Sequence, residues 1–224
     1  MKAVILAAGR GGRMRPLTDK IPKPLVEICG RSFLEHIVES LTDFVDEIIV
    51  VIGYRGDQIK DFLIKKYPKI SFKFERQETL NGTGPALLLT KKYFFDRERF
   101  FIVYGDELLT KQDVEHCLTH KFSWLCRHFN QPQNSAVITL DKEGRISSIA
   151  EKPKIPTSNL VAGGLILTSA DIFNYQTNVH HKEEVYLTDM MSGFIDDNDV
   201  YSIQGVDELS FSTVEDVDKV NNRK

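Results

Sequence analysis

Between Leu6 and Leu25 the chain reads LAAGRGGRMRPLTDKIPKPL, and this single connection concentrates groups suited to holding phosphate. Gly9, Gly11 and Gly12 give the backbone freedom in φ and let a ligand approach the main chain closely. Arg10, Arg13, Arg15 and Lys23 place cationic donors around the same point. Exposed N–H groups combined with fixed positive charge make an anion site. Three ligand readings compete for such a loop. A Walker A loop carries a lysine directly after its second glycine, and no lysine follows Gly12. A dinucleotide fingerprint needs G-x-G-x-x-G; Gly9 and Gly11 fit, but Met14 holds the third position. The third reading is a nucleoside triphosphate clamp, with N–H groups on the phosphates and Arg13 and Lys23 neutralising them. The plain alternative, a glycine turn with solvated arginines, leaves the PKPL at 22–25 without a purpose.

Two other groupings bear on chemistry. RFFIVYGD (99–106) is an apolar run that ends on an acid, Asp106, which either serves a site or caps the connection that follows. His116, His120, Cys126 and His128 fall close together, the first two at i and i+4. Their spacing matches no common zinc finger, and HCLTH lacks the glutamate of a hydrolytic zinc motif. An ordinary helix with half-buried histidines is the expectation there.

The elements that must position these groups follow from periodicity. AVILAA (3–8) and EIIVVIGY (47–54) are continuous apolar runs of the buried-strand type, ISFKFERQ (70–77) alternates, and RFFIVYGD supplies a fourth strand. Between them, residues 32–44 carry Phe33, Leu34, Ile37, Val38, Leu41 and Phe44 at helical spacing behind a Ser32 N-cap. Residues 56–67 and 84–94 read as two further helices. This alternation predicts an α/β fold: Rossmann-like, with a mostly parallel mixed sheet flanked by helices. Ligands on such sheets sit at carboxyl ends of strands near a topological switch point, where both the glycine loop and Asp106 fall. In the second half, 135–153 predicts a strand pair turning at Lys142–Gly144. AGGLILT (162–168) predicts a strand, 169–175 a short helix, VYSIQGV (200–206) a last strand and 213–224 a terminal helix capped by Thr213.

Composition sets the outer bounds. With 224 residues, 42% hydrophobic and 27% charged, the chain suits one α/β domain over 1–224, and a formal net charge of −3 gives no basic excess for a nucleic-acid partner. Three scattered cysteines, Cys29, Cys117 and Cys126, form no disulfide framework and fit a reducing compartment. The N-terminal apolar run is too short for a signal peptide, and no run approaches the about 20 apolar residues of a membrane span. The expected location is therefore cytoplasmic, with no membrane partner.

The stretch LAAGRGGRMRPLT…IPKPL resembles the signature of the sugar-1-phosphate nucleotidyltransferases, G-x-G-x-R-M-x-P-L-T followed by P-K-P. RQETLNGTGPAL resembles that family's nucleobase segment, with Gln77 five residues before Gly82; VYGD resembles its metal-binding strand end, IAEKP its sugar-phosphate lysine segment, and EVYLTD a later acceptor-side segment. In motif the chain is most similar to N-acetylglucosamine-1-phosphate uridylyltransferase and glucose-1-phosphate thymidylyltransferase-like N-terminal domains, without the hexapeptide β-helix that often follows. The resemblance implies that an NTP, UTP or dTTP first, reacts with a sugar 1-phosphate to give an NDP-sugar and pyrophosphate. It implies Arg13 on the pyrophosphate, Lys23 on the nucleotide and acceptor phosphates, Asp106 on Mg²⁺ and Lys152 on the acceptor phosphate. It places Leu6, Ala8, Gly9, Gly11, Gln77, Gly82 and Thr83 around the nucleotide, and Glu151, Gly163 and Gly164 around the sugar. Some members of that family form dimers or tetramers.

The donor half of the pattern is nearly intact and the acceptor half is not. Ser135 stands where glycine is usual before a strand, and Ala162 where many members have asparagine. ELSFSTVED stands for the usual W-x-D-V-x-T-P-E-D, which puts Ser210 at the position of a second metal ligand, or Ser212 if the register differs by two; Asp207 and Glu208 are neighbouring substitutes. These departures keep two alternatives open. One is a CTP-using transferase acting on phosphocholine or another alcohol phosphate; the other is a protein that binds nucleotide without turnover.

Overall fold

The computed structural model of the chain describes residues 1–178 and 184–205, with Val214, Val217 and Asp218. Four parallel strands form its centre: β1 (Lys2–Ala7), β4 (Glu47–Ile52), β5 (Ser71–Arg76) and β6 (Arg99–Tyr104). A small hairpin, β2 (Glu27–Ile28) and β3 (Arg31–Ser32), interrupts the first crossover and turns through Cys29 and Gly30, both at positive φ. Period-two alternation explains why β1 is apolar throughout. Val4 and Leu6 enter one core layer with Ile49, Val51, Phe100 and Ile102, while Ala3, Ile5 and Ala7 enter the other with Ile48, Val50, Phe101 and Val103.

The helices between these strands obey their sequence signals. α1 (Phe33–Leu41) starts at Ser32, which forms a reciprocal capping box with Glu35. α2 is Gly56–Lys66. The third helix is shorter than the expected 84–94: α3 covers Thr83–Leu88, and only a 3₁₀ turn, Lys91–Tyr93, follows. Buried Thr90 is the reason, since its hydroxyl donates to Leu87 O at 2.7 Å while its own N–H also turns back to Leu87 O.

Beyond β6 come α4 (Lys111–Leu118), β7 (Ser123–His128), β8 (Ala136–Leu140), β9 (Ile146–Glu151), β10 (Leu160–Ser169), a 3₁₀ turn at Ala170–Asn174, α5 (Leu187–Asp197) and β11 (Tyr201–Gln204). The sheet runs β11-β7-β10-β6-β1-β4-β5, with the β8–β9 hairpin paired off β10. β10 is antiparallel to both β6 and β7, which makes the sheet mixed as expected. The histidine cluster does not share a helix, contrary to expectation. His116 lies exposed on α4, His120 stacks on Tyr201, and Cys126 and His128 belong to β7, Cys126 wholly buried. Of the expected terminal helix, Val214, Val217 and Asp218 are described and are helical, while its Thr213 cap lies outside the described residues, as do Asp207, Glu208, Ser210 and Ser212. Val217 is described, and it packs with Met14, Val26, Ile28 and Phe33 behind the glycine loop.

The winding positions the site. From β1 the chain crosses to β4 and β5 on one side, then returns to lay β6 against the opposite edge of β1. The carboxyl ends of β1 and β6 are therefore neighbours at the point where strand order reverses. Replacing Ser32 by alanine removes the capping box at the start of the first crossover helix. The expected cost is about 1 kcal/mol, read as a lower urea midpoint at unchanged m-value; an unchanged midpoint would contradict the capping role.

Candidate active site

At this crevice the main chain fixes the two loops against each other. The Gly105 N–H donates to Leu6 O at 2.9 Å, and the Tyr54 N–H donates to Ala8 O at 2.9 Å. Of the three loop glycines only Gly11 has a positive φ, +62°, and a Cβ there would lie 2.9 Å from Lys23 Cβ. The Thr18 hydroxyl and the Met14 N–H both donate to Gly11 O, each at 2.9 Å. Gly9 and Gly12 differ: a side chain at either would meet nothing within 4 Å, so both border open space.

That space is a cleft of about 1010 Å³. Leu6, Gly9, Gly11, Arg13, Lys23, Thr83, Asp106 and Lys152 all line it, which unites residues from four separate segments of the expected site. Lys23 is buried, at 8% exposure, and its Nζ lies 2.6 Å from Asp106 Oδ2. The Asp106 side chain is 42% exposed. A carboxylate at a strand end, open to the cleft, suits Mg²⁺, which takes one or two carboxylates and completes its shell with water and substrate phosphate. Among the described residues no group of three or more His, Cys, Asp or Glu is gathered to hold a metal by protein atoms alone.

Ala8, Gln77, Gly82, Glu151, Gly163 and Gly164 are not among the residues that line the cleft. The Gln77 amide nitrogen donates to Gly82 O at 3.0 Å and to Asn81 Oδ1 at 3.2 Å, so both of its protons close the turn and its oxygen is what it can offer a ligand. Gly82 has φ +119°, and a Cβ there would collide with the main chain of Val185, so packing alone requires glycine. The Thr83 hydroxyl accepts from the Leu187 N–H at 2.9 Å and is hydrogen-bonded to Tyr104. Burial, with the charges of Glu151 and Asp106, pushes the Tyr104 phenol far above its ordinary value, so it faces the cleft as a neutral hydroxyl.

Lys152 follows β9 with a left-handed φ of +44°, and its N–H donates to Ser135 O at 3.0 Å. Its Nζ donates to the Tyr186 hydroxyl at 3.1 Å and lies 3.4 Å from Glu151 Oε1. Burial opposes the ammonium charge, but the Tyr186 hydroxyl and the Glu151 carboxylate outweigh it and raise the lysine above its ordinary value. Glu151 also accepts from the Thr188 hydroxyl at 3.0 Å. Tyr186 in turn donates to Glu184, a residue of the cleft wall. Asp189 accepts from the Asn178 N–H at 3.0 Å. Tyr104, Asn134, Glu184, Tyr186 and Thr188 were not singled out from sequence, although VYGD and EVYLTD contain four of them.

Comparison with known proteins agrees with this geometry. The family model described as nucleotidyl transferase matches residues 2–208. The chain is 36% identical over 206 residues to the bifunctional protein GlmU of Methanocaldococcus jannaschii, covering 91% of this chain and 49% of that one. It is 30% identical over 182 residues to the UTP–glucose-1-phosphate uridylyltransferase AglF of Haloferax volcanii, covering 78% and 74%. The chain thus spans about half the length of the GlmU relatives it matches, 49% in the first of them. A solved UDP-glucose pyrophosphorylase complexed with UDP-glucose has the same fold, with a TM-score of 0.86 over 99% of this chain and 97% of that one at 22% identity. Among the described residues no helix is long and apolar enough to cross a membrane. By its matched span and by the residues gathered at the end of β1, the chain belongs to the nucleotidyl transferase family.

Proposed function

We propose that the cleft joins an NTP to a sugar 1-phosphate, giving an NDP-sugar and pyrophosphate. The observation that carries this reading is the convergence of Arg13, Lys23, Asp106 and Lys152 on one cleft beside two glycines that border open space. In the reaction a phosphate oxygen of the acceptor forms a bond to the α-phosphorus. The bond from that phosphorus to the bridging oxygen breaks, and the electron pair leaves with pyrophosphate. Such a transfer asks the protein for alignment and charge stabilisation rather than for a covalent nucleophile.

Each side chain has a place in that scheme. Arg13 and the loop N–H groups hold the β- and γ-phosphates. Lys23, nearly buried between the loop and Asp106, lies where donor and acceptor phosphates must approach each other, and offsets their repulsion. Lys152 grips the acceptor phosphate from the far wall. Mg²⁺, held by Asp106 and phosphate oxygens, would neutralise charge developing on the leaving group. The Gln77 amide oxygen matches the imide N–H of uracil or thymine, which supports UTP or dTTP. The similarity to AglF, a UTP–glucose-1-phosphate uridylyltransferase, supports the same direction.

The test is pyrophosphate release with each nucleoside triphosphate against a panel of sugar 1-phosphates and phosphocholine, in Mg²⁺. Release with UTP or dTTP and one sugar 1-phosphate is expected. Release only with CTP and phosphocholine would replace the acceptor, and tight NTP binding without release from any pair would remove the activity. Asp106→Asn is expected to lower kcat by about 100-fold or more, and a near wild-type rate in Mg²⁺ would sink the assigned metal role. Lys152→Ala is expected to raise the acceptor KM by about tenfold or more with little change for the NTP; an unmoved acceptor KM would argue against the phosphate grip.

A further inference from the structure

The ladder between β10 and β7 slips between Ala162 and Ile166, so that Gly163 and Gly164 stand in a bulge. A bulge releases main-chain groups from the ladder, and in a buried place these need other partners. Both are supplied by side chains. Trp124 Nε1 donates to Gly163 O at 2.8 Å, and the Gly164 N–H donates to Glu107 Oε2 at 2.7 Å. Glu107 is the residue next to Asp106. Its other oxygen pairs with the Arg127 guanidinium from β7, and Arg127 Nη2 donates to Leu108 O at 3.1 Å. The Glu107 and Arg127 side chains are 12% and 8% exposed. A Cβ at Gly164 would collide with the Glu107 carboxylate and lie 3.0 Å from Tyr104 Cβ, so the bulge presses on a residue that lines the cleft.

We propose that Glu107, clamped by Arg127, is a positioning residue for the acceptor half of the site. It ties the bulged segment of β10 to the loop carrying Asp106, and so sets the distance between the acceptor's floor and the catalytic carboxylate. Stability alone gives little reason for this arrangement, because a buried ion pair is often replaced by apolar residues without loss. A merely stabilising pair, moreover, has no need to spend a carboxylate oxygen on one glycine amide. The donor half is held independently, by the main-chain bonds of Leu6, Ala8 and Gly11, so the pair's loss should fall on one substrate. This inference rests on the cleft being a nucleotidyl-transfer site.

The test uses the full chain with Glu107→Leu/Arg127→Met, which removes the acceptor of the Gly164 amide without leaving a buried charge, and Glu107→Gln, which keeps an uncharged acceptor in place. For the double variant, which leaves the Gly164 N–H and Leu108 O without their partners, the expected results are a lowered melting temperature in a folded protein and amide exchange at Gly164 faster by about tenfold or more. Exchange at Val103 on β6 should be unchanged. The acceptor KM should rise about tenfold or more while the NTP KM stays within about twofold. Glu107→Gln should fall between the double variant and wild type on both readouts, and it decides the matter if the double variant does not fold. An acceptor KM unmoved in a folded variant, an NTP KM raised as much as the acceptor's, or unaltered exchange at Gly164 would each overturn the proposal. A wild-type protein that releases no pyrophosphate from any pair counts against the activity instead, and the exchange readout then still decides whether Glu107 fixes the bulge.

Discussion

Strand β1 must be buried on both faces and paired on both edges, and the rest of the site depends on that constraint. Its alternate side chains fill two core layers, and its edges are taken by β4 and β6. Because the chain winds away from β1 in one direction and comes back on the other side, the connections leaving β1 and β6 diverge and leave a crevice between them. Here no α-helix follows β1 directly. The loop of glycines and prolines, running through the short β2–β3 hairpin before α1 begins, occupies the rim instead. The open glycine loop is thus a consequence of where a fully buried strand has to end.

Charge completes what topology begins. Lys23 is almost entirely buried, and an ammonium in that position needs an anion against it. Asp106 is that anion, brought there by β6 rather than by any residue near in sequence. The pair lets a cation be stored at the bottom of the crevice while the glycine loop above remains open. Arg13, Lys23 and Lys152 all bring positive charge to the cleft. In a partly desolvated cleft such charges act more strongly than they would on an open surface.

The first half of the fold was legible because its signals are local. Continuous apolar runs, the Ser32 cap and helical spacing in 33–44 each determine structure within a few residues, and they placed β1, α1, β4, α2, β5 and β6 correctly. In the second half the β8–β9 pair, β10, the short turn of helix after it and β11 are equally legible, while α5 and β7 are not, for physical reasons. α5 has the apolar spacing of a helix but no side-chain cap at Tyr186, and it carries Gly193 where the Tyr175 ring packs. β7 holds Arg127 and His128 within a buried strand, so its composition hides its place. Helix α3 ends early because of one buried hydroxyl at Thr90. The motif residues Gly11, Arg13, Lys23, Asp106 and Lys152, which line the cleft, stand out in the sequence, yet Glu107 and Tyr186 do not, since their partners lie far away in sequence.

The same contrast explains where the chain departs from its family pattern. The donor loop works through main-chain geometry and contiguous residues, so a change there alters the backbone itself. The acceptor side is assembled from side chains that meet across the sheet: Lys152 with Tyr186, Glu151 with Thr188, Glu107 with Gly164. Ser135 shows how such an assembly tolerates substitution. Its backbone is extended, at φ −133°, and its contribution is a carbonyl that accepts the Lys152 N–H, which any residue could offer. Ala162 sits in the regular ladder opposite Cys126, immediately before the bulge, where a small side chain leaves the strand undisturbed. Residues such as Ser135 and Ala162, which contribute only main chain or a small side chain, can vary while the glycine loop at the end of β1 stays fixed.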